Sequence, residues 1–136
     1  MKIGIIGCGL IGNKRANSVE KSDCVSYVYD IDEKRAKKLS ANTGAKIAVS
    51  ENQIFNSDVD AVFISTTHDL LAKLSLQAIK NGKHVLVEKP GACSSKDLKK
   101  IIDLSKKHNV KVKVGFNHRF HPAIFKAHQI ITKKKS

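Results

Sequence analysis

Tryptophan is absent from this 136-residue chain, and five Phe and two Tyr are its whole aromatic content. Single-stranded nucleic acid is usually held on aromatic stacking platforms set along a basic groove, and so few rings cannot supply one. Cysteine is scarce too. Cys8, Cys24 and Cys93 are odd in number and show neither C-x-x-C nor metal-ligand spacing, so they read as reduced thiols and no disulfide is expected. No apolar run approaches the roughly 18 residues needed to cross a bilayer, and the N-terminus enters a strand pattern without a signal-peptide arrangement, so a cytoplasmic protein with no membrane partner is expected.

Acidic residues are few, 12 Asp and Glu against 25 Lys and Arg. The imbalance is local. Residues 1 to 88 carry 12 basic and 10 acidic groups, net +2, whereas residues 89 to 136 carry 13 and 2, net +11. A basic stripe can contact nucleic-acid phosphates. Here Lys96, Lys99, Lys100, Lys106 and Lys107 follow one solvated helix face, so no nucleic-acid partner is expected and attraction of an anionic cofactor or substrate is the better account. His118, His121 and His128 lack an acidic partner, and Pro122 interrupts their helical spacing, so no metal site is expected either.

What the chain does have is concentrated at its start. Lys2-Ile3-Gly4-Ile5-Ile6 reads as a buried strand, and it runs into Gly7-Cys8-Gly9-Leu10-Ile11-Gly12, a G-x-G-x-x-G turn opening a helix. Gly7 makes the tight turn, Gly9 leaves the backbone bare for a pyrophosphate, and Gly12 lets helix and strand pack closely. The N–H groups near Leu10 and Ile11, at the positive end of the helix, would meet the phosphate charge. A carboxylate for the adenosine ribose is expected about 20 residues on, at the end of the second strand. Val25-Ser26-Tyr27-Val28-Tyr29-Asp30 supplies it as Asp30, with Asp32 the better candidate for capping the following helix. Asp30 favours NAD over NADP, because a 2′-phosphate beside it would meet like charge. Lys34 and Arg35 could offset this, though they read more simply as a solvated helix face.

Beyond Asp30, apolar runs near 46–49, 60–65, 83–87 and 111–115 continue the series begun at 2–6 and 25–30. Helical patterns near 10–21, 32–42, 69–81, 95–108 and 123–132, with a short turn at 51–56, separate them. The alternation predicts an α/β fold with a doubly wound parallel sheet of six strands, its ligand at the carboxyl ends. The fourth run delivers Ser65, Thr66 and Thr67 to that edge as cofactor contacts, with His68 beside them, and Thr67 or Asp69 could also cap the next helix. The fifth delivers Glu88-Lys89-Pro90.

With Glu88-Lys89-Pro90, the opening glycines and Gly115-Phe116-Asn117-His118-Arg119-Phe120-His121-Pro122, the chain resembles the N-terminal half of the Gfo/Idh/MocA oxidoreductases over essentially its whole length. The resemblance implies a Rossmann domain over 1–122, a helix at 123–136 leading toward a second, α+β substrate domain, and hydride transfer to or from a sugar, cyclitol or related secondary alcohol. It also implies that a cis peptide before Pro90 aims Lys89 at the substrate hydroxyl, and that Glu88 and Asn117 lie by the cofactor. Two departures stand out. The family's T-P-N and following His are replaced by Thr66-Thr67-His68 and Leu71, and family members run to well over twice this length. The expectation is therefore a cofactor-binding half that binds dinucleotide without turnover alone, completed by a partner domain or self-association.

Overall fold

The computed structural model describes residues 1–133. Six strands alternate with helices: β1 (Lys2–Ile6), α1 (Leu10–Asn17), β2 (Cys24–Tyr29), α2 (Glu33–Thr43), β3 (Lys46–Ile47), α3 (Glu51–Phe55), β4 (Ala61–Ile64), α4 (His68–Lys80), β5 (His84–Val87), α5 (Ser95–Lys107) and β6 (Val112–Val114). A 3-10 turn at Asn117–Phe120 and α6 (Pro122–Lys133) follow. Every strand pair is parallel, and the order is β3-β2-β1-β4-β5-β6. The chain thus winds outward from β1 in one direction, returns, and winds outward in the other from β4. Between β1 and β4 lies the point where the order reverses, and there the connections leave a crevice at the strands' carboxyl ends.

Burial explains why these runs are strands. Ile5, Val28, Val62, Ile64 and Val87 are fully buried or nearly so, as parallel strands covered on both faces require. The helices cover the two faces separately. Ala16 of α1 with Ala36 and Leu39 of α2 pack on Ile3, Ile5 and Val28. On the other face Leu71, Leu74, Ala78 and Ile79 of α4, Ile54 and Phe55 of α3 and Ile101 of α5 surround Ile64, Val85 and Val87. Each such fully buried Ile, Leu or Phe contributes about 1.5 to 3 kcal/mol relative to exposure. Leu71, which stands where the family's pattern has a His, is fully buried in this second cluster.

Helix starts follow local chemistry. Asp32 caps α2 by accepting from the Lys34 N–H at 2.9 Å, Ser50 caps α3 through Gln53 N, and Ser94 caps α5 through Asp97 N. Thr67 is the residue before α4, yet its side chain makes no cap bond to the backbone. Its hydroxyl instead holds the Asp69 carboxyl below the usual carboxylate range. Three boundaries depart from the patterns in the sequence. α1 ends at Asn17 rather than near 21, because Ser18 turns back with both its N–H and its hydroxyl on the Arg15 carbonyl. β3 keeps two residues of the four expected, since it pairs with β2 alone at the sheet edge. The turn at 51–56 is the short helix α3.

Candidate dinucleotide site

The glycine turn is a set of close approaches. Gly7 has φ +94°, donates its N–H to the Tyr29 carbonyl at 2.8 Å, and passes so near β4 that a Cβ on it would lie 2.5 Å from the Ser65 carbonyl oxygen. A Cβ on Gly12 would lie 1.9 Å from the Gly7 carbonyl oxygen, so α1 is pressed against the turn. Gly9 differs. The nearest atom to a Cβ there is Arg35 Nη1, at 4.0 Å, and the space above the turn is open. Asn13 fixes the turn by donating from Nδ2 to the Cys8 and Gly9 carbonyls at 2.8 and 2.9 Å. Gly9 is the residue before α1, so the first-turn N–H groups of Leu10 and Ile11 have no acceptor within the helix.

Asp30 closes the floor of the crevice. Its Oδ2 accepts from Cys8 N at 2.7 Å and its Oδ1 from Asp32 N at 2.8 Å. A carboxylate has about four lone-pair sites, so both oxygens can accept further bonds from a diol. Gly7, Gly9, Asp30, Ser65, Thr66 and Thr67 line one cavity of about 350 Å³, together with Ile6, Tyr29, Ile31, Arg35, Glu51 and Leu70. Burial raises the Tyr29 hydroxyl's pKa, and the Glu51 and Asp30 carboxylates raise it further. Burial, with the Asp30 charge, pushes the Cys8 thiol up to about 12. Cys8 is therefore a packing residue rather than a nucleophile.

The cavity suits a dinucleotide on observations of its own. Gly9 leaves the approach a pyrophosphate needs, unpaired N–H groups stand at a helix start, and the buried Ser65 hydroxyl has no hydrogen-bond partner. The remaining candidates lie elsewhere along the strand ends. His68 opens α4, is exposed, and accepts from Cys93 Sγ through its carbonyl at 3.3 Å without lining the cavity. Lys89 is exposed, and the Lys89–Pro90 peptide is cis. Glu88 bonds to Arg15 rather than to Lys89: Arg15 Nε donates to Oε1 at 2.7 Å, and Nη2 donates to the same oxygen. Asn117 Oδ1 accepts from both terminal nitrogens of Arg15 at 3.2 Å.

Arg15 was not legible as a site residue, though one signal exists. It follows Gly12 by three residues and precedes Ala16, so it borders the buried stripe of α1. Glu51 likewise joins the cavity unannounced, from a helix that reads as a turn. Among the described residues no helix is long and apolar enough to cross a membrane, and no three His, Cys, Asp or Glu side chains gather as a metal site.

Residues 1–116 match the model of the Gfo/Idh/MocA oxidoreductases, described as an oxidoreductase family with an NAD-binding Rossmann fold. The chain belongs to this family. The L-aspartate dehydrogenase of Methanocaldococcus jannaschii is 37% identical over 111 residues, covering 78% of this chain and 42% of that protein. The myo-inositol 2-dehydrogenase of Thermotoga maritima is 32% identical over 124 residues, covering 88% and 37%. An NAD-binding protein from Listeria innocua superposes with a TM-score of 0.90 at 30% identity, covering 98% of this chain and 40% of its own. The chain therefore spans about two fifths of the length of the relatives it matches and corresponds to the family's NAD-binding Rossmann domain.

Proposed function

We propose that this chain is the cofactor-binding part of an NAD-dependent oxidoreductase acting on a secondary alcohol of a sugar, cyclitol or related polyol. The single observation that carries the dinucleotide reading is the bare backbone at Gly9 beside Asp30, in a cavity at the reversal point of the sheet. A dinucleotide held by that cavity would supply, through its nicotinamide ring, the hydride acceptor or donor. The protein's own residues do the rest. Leu10 and Ile11 N–H groups and the positive end of α1 hold the pyrophosphate, Asp30 accepts from the adenosine ribose, and Ser65, Thr66 and Thr67 border it, with His68 next along the chain at the start of α4. Glu88 and Asn117 flank the Lys89 step, where Nζ is the proton-transfer group, accepting the substrate hydroxyl's proton as the amine in the oxidation and returning it as the ammonium in the reduction. The M. jannaschii relative is an L-aspartate dehydrogenase, so the alcohol assignment rests on the inositol dehydrogenase among the relatives and on Lys89.

Two carboxylates, Asp30 and Glu51, line the cavity, while Arg35 is engaged with Asp32 at 3.4 Å. A 2′-phosphate here would meet repulsion of about 1 to 4 kcal/mol per unit charge at 4 Å. Calorimetric titration is expected to give NADH binding at least about tenfold tighter than NADPH. Equal or tighter NADPH binding would remove Asp30 as the ribose reader and promote Lys34 or Arg35.

Phe116, Phe120, Ile124, Phe125, Ile130 and Ile131 are all more than half exposed, which is unusual for so many large apolar side chains on one terminal segment. Their exposure supports a segment from Phe116 through α6 that leads toward a covering domain, a partner or a second copy. It also favours a second reading, a dinucleotide-binding subunit that is not catalytic by itself. Steady-state NADH production over a panel of polyols is the check: the 136-residue chain should show no turnover, whereas robust turnover abolished by Lys89→Ala would show that it needs no completion. Three free thiols suit a reducing, cytoplasmic setting.

A further inference from the structure

Arg15 does not line the Asp30 cavity, yet its side chain hydrogen-bonds to two residues far along the chain, Glu88 and Asn117. Its side chain is 16% exposed and that of Glu88 is 12% exposed, so the ion pair is largely withdrawn from water. Three nitrogens of one planar fork serve two acceptors: Nε and Nη2 serve Glu88 Oε1, and Nη1 and Nη2 serve Asn117 Oδ1. An ammonium could not reproduce that arrangement. Glu88 is itself held by its backbone, with its N–H on the Ile64 carbonyl and its own carbonyl accepting from Gly91 N, both at 2.9 Å. Gly115 leaves the room the pair occupies, since a Cβ there would lie 2.6 Å from Arg15 Nη2 and 3.0 Å from Glu88 Oε1. One side chain on α1 therefore ties together the end of β5, the end of β6 and the 3-10 turn.

We propose that Arg15 is a positioning residue for the nicotinamide half of the bound cofactor, acting through Glu88 and Asn117 to fix the Lys89 step against the helix whose start holds the pyrophosphate. This rests on the dinucleotide reading above. Arg15 does not line the Asp30 cavity, so its effect is confined to one end of the ligand. The adenosine end is bound by a turn that stays intact when Arg15 is changed, because Asn13, Gly7 and Asp30 hold that turn by their own bonds.

The test compares ADP with NADH on the 136-residue chain, for wild type, Arg15→Lys, Arg15→Met and the double variant Arg15→Met/Glu88→Gln, which removes the lone buried carboxylate that Arg15→Met leaves behind. ADP affinity is expected to stay within about twofold of wild type in all variants that fold, while NADH affinity falls about tenfold and the shift in NADH fluorescence on binding is reduced. The double variant should regain thermal stability without regaining NADH affinity. Equal losses of ADP and NADH, unchanged NADH binding, or recovery of NADH affinity in the double variant would each overturn the proposal. Wild-type chain that binds neither ligand would instead remove the dinucleotide reading, and this inference with it.

Discussion

Gly9→Val is expected to abolish dinucleotide binding while leaving the fold intact. The position faces open space, with only Arg35 Nη1 at 4.0 Å from a Cβ built there, so a valine side chain meets no protein atom it cannot avoid. It does meet the ligand, because the same space is the approach of a pyrophosphate to the N–H groups of Leu10 and Ile11. Affinity for NADH should fall at least a hundredfold, about 2.8 kcal/mol or more. Circular dichroism and the melting temperature should change little. Retained affinity would mean that the phosphates bind elsewhere.

Gly12→Val is expected to have the opposite outcome, a damaged fold. Its Cβ would lie 1.9 Å from the Gly7 carbonyl oxygen and 3.7 Å from Ile5 Cγ2, and the nearer clash is with backbone, which no side-chain rotation relieves. Overpacking of a well-filled site costs about 1 to 3 kcal/mol, and displacing α1 from the turn adds to it, so a loss above about 3 kcal/mol is expected. For a domain of this size that lowers the melting temperature by about 10 °C or more. Denaturant titration of the two variants side by side checks the contrast. A Gly12→Val protein as stable as wild type would show that α1 is not packed on the turn as described.

The two glycines also mark what could be read from sequence and what could not. Strand and helix alternation carried the six-stranded parallel sheet, because buried parallel strands are near-continuous apolar runs such as Ala61–Ile64, and their connections repeat at helical length. The G-x-G-x-x-G spacing and Asp30 were legible for the same reason: each depends on residues adjacent in sequence and on fixed strand-end geometry. Arg15 was not, since its partners are 73 and 102 residues away and nothing local in Asn13-Lys14-Arg15-Ala16 announces them. Glu88 was singled out on resemblance alone, and its bonding to Arg15 needed coordinates. Helix ends were the weakest inference. The Ser18 hydroxyl ends α1 by competing for a backbone carbonyl, a choice that side-chain type alone does not decide.

Amide chemical-shift mapping of the 136-residue chain during NADH titration would locate the dinucleotide, expected at the carboxyl ends of β1, β2 and β4. Saturable shifts are expected at Cys8, Gly9, Leu10 and Ile11, at Asp30 and Ile31, and at Ser65, Thr66 and Thr67, with the α4 and α5 lysine face silent. Shifts confined to Lys80, Lys100 and Lys107, or no saturable shift in the glycine turn, would contradict that placement.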